Sequence, residues 1–419
     1  MPLIERAGRS FLQRDFRWMF SGTLASTGMQ WLQQTALGWL VYDHTGSGTL
    51  VGVVLGVRAI SILLLSPVSG MVADRYDRRR SLALTQVFIA LPAFLIALSI
   101  ALGSVATWQL VLFVFASGAT ATFDRTLRNS VVYDILPRED LSNGLALINM
   151  AFSLSRAIAP PIAGALIALT GAAWCFAIQG LLAVGVIFSV LQVRRRPASA
   201  RPRRASAFGE MKAGLRYGFA HPVVRLMLLM NVLAGCLLIP TFGALLPIFA
   251  ADIYRVGPEG LGWMLGAVGL GSIVGSALAA AHSRFDRVGL LQCASLLAFA
   301  ASLIGFALGP GMAGAMLLLA IAGCAELLLI TSTATAMQLS AAEGMRGRVT
   351  SLLTLFPACI ASGIFLAGVS SDLVGAPATS IGFSSLAACV VLLSWYRSAA
   401  LRDLRLSGLL AGHAPKSTA

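Results

Sequence analysis

Seven ionisable side chains fall inside long apolar runs of this sequence: Arg58, Asp124, Arg125, Arg128, Asp134, Arg156 and Glu326. A charge held in hydrocarbon is costly, so each one marks a place where the chain could do chemistry. Asp124 and Arg128 are spaced i,i+4 and can pair on one helix face. Such a pair is either a neutralised structural element or a switch in which Asp124 exchanges its arginine for a proton. Glu326 has no basic residue within one turn, and the run from Ala320 to Thr331 is otherwise apolar or hydroxylic. That setting suits a proton carrier, so Asp124 and Glu326 are the candidates for coupling movement to a proton gradient. Arg58 lies about ten residues, roughly 15 Å along a helix, from the end of its run. It could grip substrate oxygens bidentately or pair with a carboxylate from a neighbouring helix. In the first apolar run Thr27, Gln30 and Gln34 share a face, and Trp31 adds an aromatic surface for a planar ligand. The glutamines could equally bond between helices. Arg58, Arg128 and Arg156, with Gln30, Gln34 and Trp31, form the candidate substrate site. The excess of arginine over carboxylate there favours an anionic or oxygen-rich ligand.

The elements that must position these residues follow from composition. Of 419 residues, 57% are hydrophobic and 11% charged, against about 25% charged in a soluble domain. A chain this apolar is a polytopic membrane protein. Its net charge of +14 does not indicate nucleic acid, because no basic stripe with interleaved aromatics exists. The six cysteines all lie in apolar runs without metal-ligand spacing, and the four histidines are scattered. Neither cofactor nor metal is expected. Phosphate-loop, Gly-x-Ser-x-Gly and His-Glu-x-x-His motifs are absent, so the chain does not read as an enzyme.

A bilayer span needs about 20 apolar residues. That rule predicts twelve spans, near 17–42, 48–72, 81–102, 108–133, 142–169, 173–193, 223–250, 260–282, 288–308, 312–338, 348–371 and 377–397. All must be helices, since lipid cannot satisfy free backbone groups. Basic residues concentrate at alternate ends: Arg75 to Arg80, Arg138, Arg194 to Arg225, Arg284, Arg287, Arg346 and Arg348. The positive-inside rule then puts both termini in the cytoplasm and the protein in the cell (inner) membrane. Residues 1–193 form a first six-helix bundle and 223–398 a second. Between them, 194–222 is a basic linker ending in an amphipathic helix suited to anionic headgroups. Residues 399–419 are a cytoplasmic tail.

The two halves echo one another. Val51-Gly-Val-Val-Leu-Gly matches Leu261-Gly-Trp-Met-Leu-Gly, and Arg75-Tyr-Asp-Arg matches Arg284-Phe-Asp-Arg at nearly the same offset. After Gly70, the loop Asp74-Arg-Tyr-Asp-Arg-Arg gives an ordered Gly-x-x-x-Asp-Arg-x-x-Arg-Arg pattern. It resembles the loop between helices 2 and 3 of the major facilitator superfamily, secondary transporters built from two six-helix repeats. Phe123-Asp-x-x-x-Arg128, Leu245-Leu-Pro-Ile-Phe-Ala and Gly260-Leu-Gly-Trp resemble its exporter branch, that of enterobactin export and macrolide efflux. Ser155-Arg-Ala-Ile-Ala-Pro-Pro-Ile-Ala-Gly partly matches the antiporter motif, with Ala159 where glycine is usual.

The resemblance implies an all-α membrane protein of twelve helices in two pseudo-symmetric bundles. It implies that Gly70, Asp74, Arg75 and Arg78 serve gating, with Asp74 held by the facing half in one state. Proton-driven export of a small amphipathic molecule, a siderophore ahead of a broad range of drugs, is the expected function. A membrane scaffold or sensor without transport is the remaining alternative. The expected partners are the small molecule, protons and lipid, with the protein a monomer and no nucleic acid bound.

Overall fold

A computed structural model describes residues 10–137, 139–194, 216, 218–281, 286–340, 352 and 356–405. Most of the basic linker and its amphipathic segment, Arg138, Arg284, Arg346, Arg348 and most of the tail lie outside the described residues. Among the described residues, twelve long helices carry the chain. In the first half they are α1 (Arg14–Thr45), α2 (Gly48–Arg75), α3 (Arg78–Ala101), α4 (Thr107–Ile135), α5 (Leu141–Thr170) and α6 (Ala172–Gln192). In the second half they are α7 (Pro222–Ile253), α8 (Gly257–Ala281), α9 (Val288–Ala307), α10 (Gly311–Ser340), α11 (Phe356–Val374) and α12 (Ala376–Arg397). Eleven of them are long and apolar enough to cross a membrane. The twelfth, α1, has 32 residues but carries Arg14, Asp15, Arg17, Gln30, Gln33 and Gln34. The expected twelve helices in two sets of six are therefore present.

Local chemistry sets where the helices stop. Asp77 caps α3 by accepting the Arg80 N–H at 3.0 Å, the usual work of an N-terminal aspartate. A single glycine separates α5 from α6, Gly171 at φ 89°, and its counterpart Gly375 at φ 88° separates α11 from α12. A left-handed backbone with no side chain lets two helices meet almost directly, and its recurrence at equivalent junctions is the internal repeat seen in three dimensions. In α7, Pro240 and Pro247 are accompanied by three π-type turns, at Ala234–Leu238, Thr241–Leu245 and Phe249–Ile253. Proline has no N–H to give the ladder, and wider turns absorb the defect.

Packing inside each half is parallel in plan: α2 lies on α4 and α3 on α6, as α8 lies on α10 and α9 on α12. Small residues allow these approaches. A Cβ at Gly271 of α8 would sit 1.8 Å from the Ala320 carbonyl oxygen of α10. Gly271→Ala is therefore expected to cost about 1–3 kcal/mol by forcing the helices apart. A fall in thermal midpoint of the detergent-purified protein checks this.

The halves meet along two seams, α2 with α11 and α5 with α8. A Cβ at Gly52 would lie 2.9 Å from the Ile364 carbonyl, and one at Gly262 would lie 2.5 Å from that of Pro160. The α2 seam runs as far as Gly56 facing Ala361, and the α5 seam as far as Ala157 against Gly269. Beyond those points the same helices also expose large apolar side chains. Leu64 and Met71 on α2, Met150 and Phe152 on α5, and Val274 on α8 are all exposed. Among the described residues, the seam contacts between the halves lie toward the end bearing Ser47 and Asp372 and away from the end bearing Arg75 to Arg80.

Candidate functional site

Asp124 is 3% and Arg128 4% exposed. Arg128 donates Nε to Asp124 Oδ2 at 3.1 Å and Nη2 to Oδ1 at 2.7 Å, so the i,i+4 spacing does form the bidentate pair it suggests. Two further donors close the carboxylate: Ser26 Oγ of α1 at 3.1 Å and Gln86 Nε2 of α3 at 2.5 Å. Arg128 Nη1 also reaches Thr23 Oγ1 of α1 at 3.3 Å. The site thus ties α1, α3 and α4 together inside the first half. Gln86 was not among the expected residues. Its signal was available, as a lone amide in the apolar run from Leu82 to Leu95.

Glu326 finds its base on the other half of the molecule. Arg156 Nη2 of α5 donates to Glu326 Oε2 of α10 at 2.5 Å. The Arg156 guanidinium also lies over Trp31 of α1, 5.4 Å from the ring centroid, a cation–π arrangement. Thr27 and Ser155 share a 2.7 Å hydrogen bond beside them. Arg156 adjoins Ala157, where the α5 seam ends, so this ion pair stands at the end of that seam. Three expected residues, Trp31, Arg156 and Glu326, are thereby brought together.

Arg58 stands apart from both clusters. It lines a narrow crevice within the first half, together with Gln30, Gln33, Ser117 and Gln179. Gln33 Nε2 donates to Ser117 Oγ at 2.9 Å, and Gln179 Nε2 donates to Gln33 Oε1 at 2.8 Å. Gln33 therefore does the interhelical bonding considered for the α1 glutamines, while Gln30 faces the crevice beside Arg58. Gln34 is partly buried and does not line it. Among the described residues no carboxylate pairs with Arg58, nor with the exposed Arg125.

At the arginine-rich end the loop residues divide. Arg78 is buried and grips both oxygens of Asp134 on α4 at 2.7 Å, with Nε donating to the Ala73 carbonyl at 2.9 Å. Arg79 donates to the Leu191 carbonyl of α6. Those two arginines bind their own half. Asp74 and Arg75 are exposed, without hydrogen bond or ion pair among the described residues, and a Cβ placed on Gly70 would meet no other helix within 4 Å. This face of α2 is the one the resemblance assigns to contact with the other half.

Comparison with known proteins fits this geometry. A family of transmembrane secretion effectors matches residues 9–407. The multidrug efflux pump Tap of Mycolicibacterium fortuitum is 25% identical over 362 residues, covering 83% of this chain and 87% of that one. The enterobactin exporter EntS of Shigella boydii is 25% identical over 341 residues, 81% and 80% of the two chains. The crystal structure of the nucleoside transporter NupG superposes with a TM-score of 0.76 over 92% of this chain and 100% of its own, at 13% identity, a likeness of fold. Matched along nearly its whole length, the chain belongs to the transmembrane secretion effector family, an exporter branch of the major facilitator superfamily.

Proposed function

We propose that the protein exports a small amphipathic molecule, a siderophore in the first instance, by proton-coupled alternating access in the inner membrane. The observation that carries this is the Arg156–Glu326 pair. It joins the two halves at 2.5 Å, where their seam ends. The arginine-rich end is the cytoplasmic one under the positive-inside rule, so the described state accepts substrate from inside. In that state Glu326 is held by Arg156. A proton taken by Glu326 removes the attraction and frees Arg156 for an anionic substrate group, which lets the halves rock. Asp124, already satisfied by four donor contacts, keeps α1, α3 and α4 as one body during that movement. Trp31 holds Arg156 in place from below its guanidinium plane. Arg58 and Gln30 offer a second contact for substrate oxygens. Each step needs differential affinity of proton or substrate for the two states, which is what a partner exchange at one arginine supplies.

Broad drug efflux is the alternative, favoured by the Tap relative and by the aromatic pair Trp31 and Phe152, 5.7 Å between centroids. Comparing the metabolites retained by cells with and without the protein separates the two. A single iron-chelating compound accumulating inside the deletion strain supports siderophore export, whereas broad drug sensitivity with an unchanged metabolite profile supports efflux.

For gating, Asp74→Asn is expected to enrich the state described here, because Asp74 contributes only when the cytoplasmic end closes. Cysteine labelling at Met71 from the cytoplasmic side should rise severalfold. Unchanged labelling removes the gating role of Asp74.

A further inference from the structure

We propose that Asp372 is a releasable latch that holds the outer end shut by capping a helix of the opposite half. Sequence places Asp372 in a loop between spans, but the structure puts it in the last turn of α11. From there its carboxylate reaches the first turn of α2. It accepts the Ser47 hydroxyl at 2.8 Å, the Gly48 N–H at 2.7 Å and the Thr49 N–H at 2.9 Å. The opening N–H groups of a helix have no partner within it and carry the positive end of its dipole, to which a carboxylate is attracted. Here Ser47 serves its own helix by accepting the Leu50 N–H at 3.3 Å, while the second half supplies the anion. A helix of one half is thus capped by the other.

Two features make this a latch and not a permanent tie. The first is fit: a Cβ on Gly48 would lie 2.1 Å from Ser371 Oγ and 3.0 Å from Asp372 Oδ1, and one on Gly368 would lie 2.3 Å from the Gly48 carbonyl. Only glycine at both positions brings the carboxylate within reach. The second is exposure. Asp372 is exposed and Ser47 and Thr49 are partly so, so water replaces each lost bond when the halves part. Asp124 and Arg128, buried within one half, have no such replacement. A neighbouring bond from Tyr42 of α1 to Asp252 of α7 spans the halves at the same end and reinforces the closure.

The inference rests on the alternating-access proposal, yet its test needs no substrate. Spin labels on Leu102→Cys and Leu308→Cys, both exposed at the outer end of their halves, report its width in the full-length protein, with the native cysteines replaced. The expected result is one distance in the parent. In Asp372→Asn a longer distance should appear, its ratio to the first raised about tenfold. Gly48→Ala, which wedges the seam while keeping the Asp372 carboxylate in the chain, should do the same and serves if the first variant does not fold. Asp372→Glu should restore most of the short distance, and the thermal midpoint should stay near that of the parent. The proposal is overturned if both variants keep the parent distance, or if Asp372→Asn only lowers the thermal midpoint. Widening in a protein that moves no compound would instead count against export while leaving the latch in place.

Discussion

Asp124→Ala is expected to destabilise the protein by about 3–5 kcal/mol, because it leaves the Arg128 guanidinium buried without its partner. Arg128 is 4% exposed and its remaining side-chain bond is the 3.3 Å contact to Thr23, so neither solvent nor neighbours compensate. Ser26 and Gln86 lose their acceptor in the same step. The measurable result is a collapse in yield of folded protein and a fall of many degrees in thermal midpoint in detergent. Asp124→Asn should cost less, since an amide oxygen still accepts from Gln86 and Arg128. An Asp124→Leu, Arg128→Met double variant should regain most of the loss, because two apolar side chains carry no charge to desolvate. Parent-like stability in Asp124→Ala would mean that the pair does not hold the first half together.

Glu326→Gln is expected to produce a different failure. Glutamine fills the same space and still accepts a hydrogen bond from Arg156, so folding should survive. It cannot exchange a proton, so gradient-driven export should fall by about 100-fold or more, roughly 3 kcal/mol in transport driving terms. Exchange of labelled for unlabelled substrate across the membrane, which needs no net proton movement, should continue. Asp124 and Glu326 are both buried carboxylates facing arginine, yet the expected phenotypes separate. One acid is enclosed inside a half, and the other stands between halves.

Twelve helices and the pairing of Asp124 with Arg128 were legible in the residues, because span length and i,i+4 spacing are local properties. The partner of Glu326 was not. Arg156 lies 170 positions away, and in helices that are apolar on nearly every side no periodicity shows which face meets which neighbour. The trans cap of Asp372 spans 324 positions to Gly48 and was equally hidden. Arg78 stands in the gating motif, and the carboxylate it pairs with, Asp134 of its own half, was not legible there. Arg58 was expected to find either a ligand or a carboxylate; it lines the crevice, and among the described residues no carboxylate pairs with it. What local pattern cannot carry is the choice of partner between helices, and the function proposed here depends on that choice.

The most direct measurement follows protons. Purified protein in liposomes holding a pH-sensitive dye is given the compound retained in the deletion strain on its cytoplasmic face. The account predicts that substrate moving one way drives protons the other, and that Glu326→Gln abolishes the dye signal while exchange persists. Substrate movement with no proton flux in the parent, or an unchanged signal in Glu326→Gln, would contradict it.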